Sequence, residues 1–137
     1  MSPDLGEALL KTIPYAQTLG IEPRLDGEEL TLFLPYITSN IGNPALPALH
    51  GGMIGGLMEV CAVAQLLLSN PGTAFPKPIG LNIDYLRRGK PVDTFARAQI
   101  FKQGSRVANV RVRAWQTDWD SPIAALTGHF LIAKADD

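Results

Sequence analysis

The stretch from Gly51 to Leu68, GGMIGGLMEVCAVAQLLL, constrains this chain more than any other. It is apolar nearly all round a helical projection, so it cannot lie on a surface with one wet side and has to be enclosed. Its most apolar part, Met53 to Leu68, is shorter than the roughly 20 residues a bilayer crossing needs, and it carries a carboxylate, Glu59. A buried helix is expected, with Gly55 and Gly56 allowing another backbone to come close. An ionised carboxylate in apolar surroundings costs several kcal/mol unless it is paired, hydrogen-bonded or wet. Glu59 therefore has either a bland reason, a water-facing gap or an ion pair with a strand arginine, or a functional one, as a general base or nucleophile in a partly desolvated cleft.

The segments around the helix say what encloses it. Ser2 and Pro3 suit a helix start, and Leu5, Leu9, Leu10 and Ile13 recur at helical spacing before Pro14, followed by a short turn from Tyr15 that stops at Gly20; residues 1–19 read as an N-terminal helical segment. Leu30, Leu32 and Leu34 alternate as in a strand. Residues 37–49, with Gly42, Pro44 and Pro47, read as an ordered loop, and NPGT at 70–73 should end the helix. Alternation returns at Ile79, Leu81, Ile83 and Tyr85, at Ala96, Ala98 and Ile100, and at Ala108, Val110, Val112 and Ala114, and a last apolar strand runs through PIAALTGHFLIA. The expectation is an α+β fold in one domain, 1–137, a long central helix wrapped by a curved antiparallel β-sheet.

Charge and cysteine usage narrow the partners. A formal net charge of -1 with scattered Lys and Arg gives no basic stripe for a nucleic-acid backbone. Cys61 is the single cysteine, so neither an intrachain disulfide nor a multi-cysteine metal site is available, which suits a reducing cytoplasm. Asp4 and Glu7 stand where a secretory signal would be basic. No nucleic acid, membrane or metal is expected as a partner.

His50-Gly51-Gly52 immediately precedes the helix, where unpaired N–H groups and the positive end of the dipole can hold a developing oxyanion. At a rise of ~1.5 Å per residue, the helix start lies about 12 Å from Glu59, too far for both to touch one carbonyl. A second copy docked antiparallel would bring the helix start of one chain beside Glu59 of the other, and a symmetric homodimer makes two such sites.

With these residues in view, the chain resembles the hotdog-fold acyl-CoA thioesterases of the phenylacetic-acid-degradation type, in which a His-Gly-Gly opens the central helix and an acidic residue follows nine positions after the His. His50-Gly51-Gly52 and Glu59 match that spacing, LNIDYLRRGKP resembles the strand and turn after the helix, and the likeness extends over residues 15 to 133. The resemblance implies the hotdog fold and hydrolysis of an aryl- or medium-chain acyl-CoA to the acid and CoA. Glu59 would be the general base or nucleophile, and the Gly51 N–H would polarise the carbonyl across a dimer interface. His50 would orient the loop or simply cap the helix, and Asn43 is the nearest candidate for placing the thioester or the water. Asn43 lies seven residues before His50 where relatives have six, with Pro44, Ala45 and Pro47 between, and Val63 and Pro78 stand where some relatives offer a hydroxyl.

For the rest of the substrate, Gly52, Met53 and Met58 are candidate walls, while Arg87, Arg88, Lys90, Lys102 and Arg106 are candidates for the CoA phosphates. A homodimer, assembled further as a dimer of dimers, is expected, with no cofactor beyond the CoA of the substrate. Two rivals remain on the same fold: a non-catalytic acyl-CoA binding or sensing module, and a hydratase or dehydratase, for which Asp84 and His129 are the loose candidates.

Overall fold

The computed structural model describes residues 10–133 apart from 12, 14–15, 18–19, 27–28, 36–40, 44–45, 50, 71–73 and 91. Its elements, in chain order, are β1 (Glu22–Asp26), β2 (Glu29–Leu34), β3 (Ile41–Asn43), β4 (Leu46–Leu49), α1 (Gly51–Ser69), β5 (Lys77–Tyr85), β6 (Thr94–Gln103), β7 (Val107–Trp115) and β8 (Ala124–Leu131). Six strands form one sheet in the order β1-β2-β6-β7-β8-β5, every neighbouring pair antiparallel. One long helix against one antiparallel sheet is the α+β arrangement the sequence predicts. Of the N-terminal helical segment expected over 1–19, helical backbone is present at Leu10–Lys11 and Ala16–Gln17, and residues 1–9, 12, 14–15 and 18–19 lie outside the described residues.

The sheet presents small and branched side chains inward. Leu30, Leu32 and Leu34 of β2, Ala96 and Ala98 of β6, Ala108, Val110, Val112 and Ala114 of β7, and Leu126 and Phe130 of β8 are buried against α1. The alanines let the helix axis approach closely, and Leu57, Met58, Cys61, Ala62, Ala64 and Leu66 fill the space between, all with no exposed surface. Each large apolar side chain removed from water contributes about 1.5–3 kcal/mol, so this layer carries most of the stabilisation.

Two polar devices fix the helix. The Gln65 side chain, buried against the sheet, accepts from the Leu30 N–H at 3.4 Å and donates to Ser69 Oγ at 3.0 Å, tying α1 to β2. Asn70 ends the helix: its backbone N–H and its side-chain amide both donate to the Leu66 carbonyl, at 3.0 and 2.9 Å, so one carbonyl of the last turn takes two donors.

Arginines and aromatic rings interleave on the outer face. The Arg24 guanidinium lies over Phe33 and Phe95, Arg97 over Trp115 and Trp119, and Arg111 over Phe101. Arg97 also pairs with Glu29 at 2.9 Å and donates to Thr31 Oγ1. Such stacks hold the strands from the wet side by covering ring faces with charged, solvated groups.

Three features depart from the sequence reading. Residues 22–26 form a strand, β1, although Leu25 and the ring of Pro23 are its only apolar groups; pairing with β2, not an apolar face, makes it a strand. The segment read as an ordered loop contains β3 and β4, which pair as a separate two-stranded sheet with Ile41 opposite Leu49 and Asn43 opposite Leu46. β5, whose alternation implies one buried face, is exposed along most of its length, with Ile79 at 58 % and Tyr85 at 55 %. It is the last strand of the sheet, paired only with β8, and a bulge between Pro78 and Gly80 shifts the register.

Candidate active site

Glu59 lies in the middle of α1 and is half-buried. Its side chain leaves the helix on the flank that faces the start of β5, almost opposite Cys61, whose sulfur meets the backbone of Leu32 and Ala98. Burial pushes the Cys61 thiol up to about 12, so Cys61 is an inert core group and no nucleophile.

Glu59 lines a cavity of about 380 Å³ together with Ile13, Val60, Val63, Phe75, Pro76 and Pro78. Every other described lining side chain is apolar. No hydrogen bond or ion pair between described residues involves Glu59, so a strand arginine does not account for the charge. Val63 and Pro78 both line this cavity, so the carboxylate has carbon and no hydroxyl beside it at those two positions.

The other sequence candidates are distributed as follows. Gly51 and Gly52 open α1, one helical run away from Glu59 in the same chain. Asn43 ends β3, its backbone set opposite Leu46. His50 lies outside the described residues. Met53 is half-buried against the core. Met58 has no exposed surface and packs inside the sheet, which corrects its assignment as a substrate wall: at one residue before Glu59 it points round to the core side of the helix.

The basic residues form two groups, not one. Arg87, Arg88 and Lys90 follow β5 beside the start of β8, where the Leu86 and Arg87 N–H groups donate to the Ile123 carbonyl and Arg87 Nη1 donates to the Pro122 carbonyl at 2.7 Å. Gln116 stitches this loop by accepting from the Lys90 N–H at 3.0 Å and donating to the Lys90 carbonyl at 2.9 Å. Lys102 and Arg106 lie at the opposite end, where the Arg106 carbonyl accepts from Ile132 N–H. The length of β8, about 26 Å at ~3.3 Å per residue, separates the two groups. Asp84 and His129 also fail to meet: Asp84 is opposite Ala125 in the β5–β8 ladder and His129 is opposite Gly80, with the His129 ring bonded to Asn109 across to β7.

Residues 41–131 match the acyl-CoA thioesterase N-terminal domain family. The chain belongs to the acyl-CoA thioesterase family. It is 30% identical to the medium/long-chain acyl-CoA thioesterase YigI of Escherichia coli, over 93% of this chain and 91% of that one. Among solved structures, a Pseudomonas aeruginosa protein at 30% identity superposes with a TM-score of 0.82, covering 93% of this chain and 96% of its own. The phenylacetic acid degradation-related protein of Ralstonia eutropha, 20% identical, shares the fold with a TM-score of 0.77 over 93% and 98% of the two chains. The sheet and helix are therefore a hotdog fold, and the enzyme is a thioester hydrolase acting on acyl-CoA.

Phe75 and Pro76, which form one wall of the Glu59 cavity, were not among the sequence candidates. They sit between the helix stop and the first alternating residue of β5, where no periodicity marks them.

Proposed function

We propose that this thioesterase releases a medium-chain aliphatic or aryl acid from its CoA ester, with Glu59 as the general base or nucleophile. The observation that carries the reading is the setting of Glu59, the one ionisable group among the described residues that line an otherwise apolar cavity, with no partner among the described residues. The apolar walls take the acyl group; Glu59, at the rim, either removes a proton from the attacking water or attacks the thioester carbon itself. In both routes the carbonyl oxygen gains charge as the tetrahedral intermediate forms, and an N–H at a helix start is suited to receive it.

The Gly51 N–H of a second copy is that donor. The helix start and Glu59 of one chain are too far apart to share a carbonyl, about 12 Å along the axis. The open edge of β5, which exposes Ile79, Leu81 and Tyr85, gives a second copy a place to dock and makes a homodimer the active form, with a dimer of dimers as the larger assembly. Asn43 and His50 belong to the segment leading into that helix start, where they place the thioester and orient the Gly-Gly backbone. Arg87, Arg88 and Lys90, on a loop that Gln116 anchors at the Lys90 backbone, are the phosphate contacts of the CoA. Arg106, at the far end of the sheet, does not reach the same phosphates. YigI is named for medium and long acyl chains, which favours the aliphatic class for this cavity.

The test is thiol release from a panel of aliphatic and aryl acyl-CoAs by wild type and Glu59→Gln. Glu59→Gln keeps the shape of the side chain and removes its basicity, so turnover should fall by about 100-fold or more. A variant as fast as wild type, or no turnover of any ester by wild type, would turn the chain into a binding module and Glu59 into a structural carboxylate. A monomer that is fully active would remove the second copy from the mechanism.

A further inference from the structure

β5 runs back along α1. Its Ile83 and Tyr85 lie at the level of Gly55, in the first half of the helix, while Pro78 shares the Glu59 cavity with Val63, in the second half. Phe75 comes before Pro78 and so stands still further toward the helix end, up to about 10 Å upstream at ~3.3 Å per residue. Val63 follows Glu59 by one turn on the same helix face, with about 5–6 Å between their Cβ positions. The cavity therefore has a direction: the Glu59 carboxylate first, Val63 a turn on, and the Phe75 ring at the end away from the helix start, with Ile13, Val60 and Pro76 along the sides.

These walls differ in what they can yield. Ile13, Val60 and Val63 are at most 5 % exposed and belong to the core, and the two proline rings are fixed in φ. Phe75 is 48 % exposed. Its backbone is nonetheless held, because the Ala74 N–H donates to the Ala133 carbonyl at 2.6 Å and the proline that follows keeps position 75 extended. A side chain with rotamer freedom on an anchored backbone can close the cavity, and it can be cut back without leaving a void in the core.

We propose that Phe75 is the end wall of the acyl site and sets the length of the straight aliphatic chain this enzyme accepts. The assignment rests on the thioesterase role of Glu59. With the thioester carbonyl beside Glu59, the acyl chain passes Val63 and the proline rings and runs toward Phe75. Past Glu59 no described lining side chain can hydrogen-bond, so a methylene gains only by leaving water, which is worth about 4-fold in kcat/KM for each one covered. The gain ends where the chain meets the ring. A longer chain has to bend or push the phenyl aside, and loses what the shorter ones gained.

The test is kcat/KM on straight-chain acyl-CoAs stepped by two carbons, for wild type, Phe75→Ala, Phe75→Trp and Glu59→Gln. Wild type should show an optimum length. Phe75→Ala should move it up by about two carbons or more, with a gain of roughly 10-fold for the esters just beyond the wild-type optimum, and Phe75→Trp should move it down. Phe101→Ala removes a ring of similar exposure, 45 %, from the outer face and should leave the optimum where it is. An optimum at one length in wild type and both Phe75 variants, a uniform loss across the series, or the same shift in Phe101→Ala overturns the assignment. Turnover that is lost in Glu59→Gln, with an optimum indifferent to Phe75, overturns this assignment alone. No turnover of any ester by wild type overturns it together with the thioesterase role of Glu59.

Discussion

Replacing Gly128 with alanine puts one methyl where β8 has no space for it. A Cβ there would stand 2.7 Å from Phe130 Cε1, 3.0 Å from Leu81 Cδ2 and 3.3 Å from Leu126 Cδ2. Leu81 lies on the edge strand and can give way, but Phe130 is fully buried under α1 and its ring has nowhere to turn. Overpacking of this kind costs about 1–3 kcal/mol, and the usual gain from replacing a strand glycine returns about 0.5–1 kcal/mol. The net is a destabilisation of roughly 1–2 kcal/mol, which for a chain of this size lowers Tm by about 3–8 °C. Calorimetry measures it, and urea unfolding should show a lower midpoint at unchanged slope. Adding Phe130→Leu should restore part of the loss, because the two changes share one space and cannot be additive. A Gly128→Ala protein as stable as wild type, or a double variant that loses the sum of the single losses, would refute the packing argument.

Two further outcomes follow from the core and the outer face. The folded Cys61 thiol resists ionisation up to about 12 against an ordinary value of 9.0. Its contribution to stability is therefore complete below pH 9.0 and is lost as pH rises toward 12, at up to about 1.4 kcal/mol per pH unit; the stability difference between wild type and Cys61→Ala should shrink across that window, and a constant difference would refute it. On the outer face, the Arg97–Glu29 pair is 35% and 56% exposed, so Glu29→Ala should cost no more than about 0.5–1 kcal/mol in urea unfolding. Arg97→Ala should cost more, because it also uncovers Trp115 and Trp119; equal losses would mean the ring contacts contribute nothing.

The parts of the fold that were legible in the sequence are those whose burial imposes a pattern. α1 is apolar all round because it is enclosed, and β7 alternates Ala108, Val110, Val112 and Ala114 against polar residues because one face is dry and the other wet. β1 and β3–β4 carry no such pattern, since their order comes from backbone pairing with neighbours that the local sequence does not name. β5 shows the opposite failure: it alternates like a half-buried strand, yet within one chain Ile79, Leu81 and Tyr85 stay exposed. Glu59 could be singled out as a charge in the wrong surroundings. Phe75 and Pro76 could not, because what brings them to Glu59 is the path of the chain into β5 beside the helix, a tertiary fact.

That strand edge also carries a hazard which its own residues partly contain. A ladder left open beside exposed apolar side chains invites any extended chain to add to it, and indefinite addition is how soluble proteins begin to form fibres. Pro76 and Pro78 have no N–H to offer, and the bulge between Pro78 and Gly80 breaks the regular spacing, so the first half of β5 makes a poor template. Only the half from Leu81 to Tyr85 keeps an even ladder, and it carries Asp84, whose charge would face its own repeat in a stacked array. The strand can be closed once by a partner of matching shape, while a growing column of copies would have to set proline against proline and carboxylate against carboxylate.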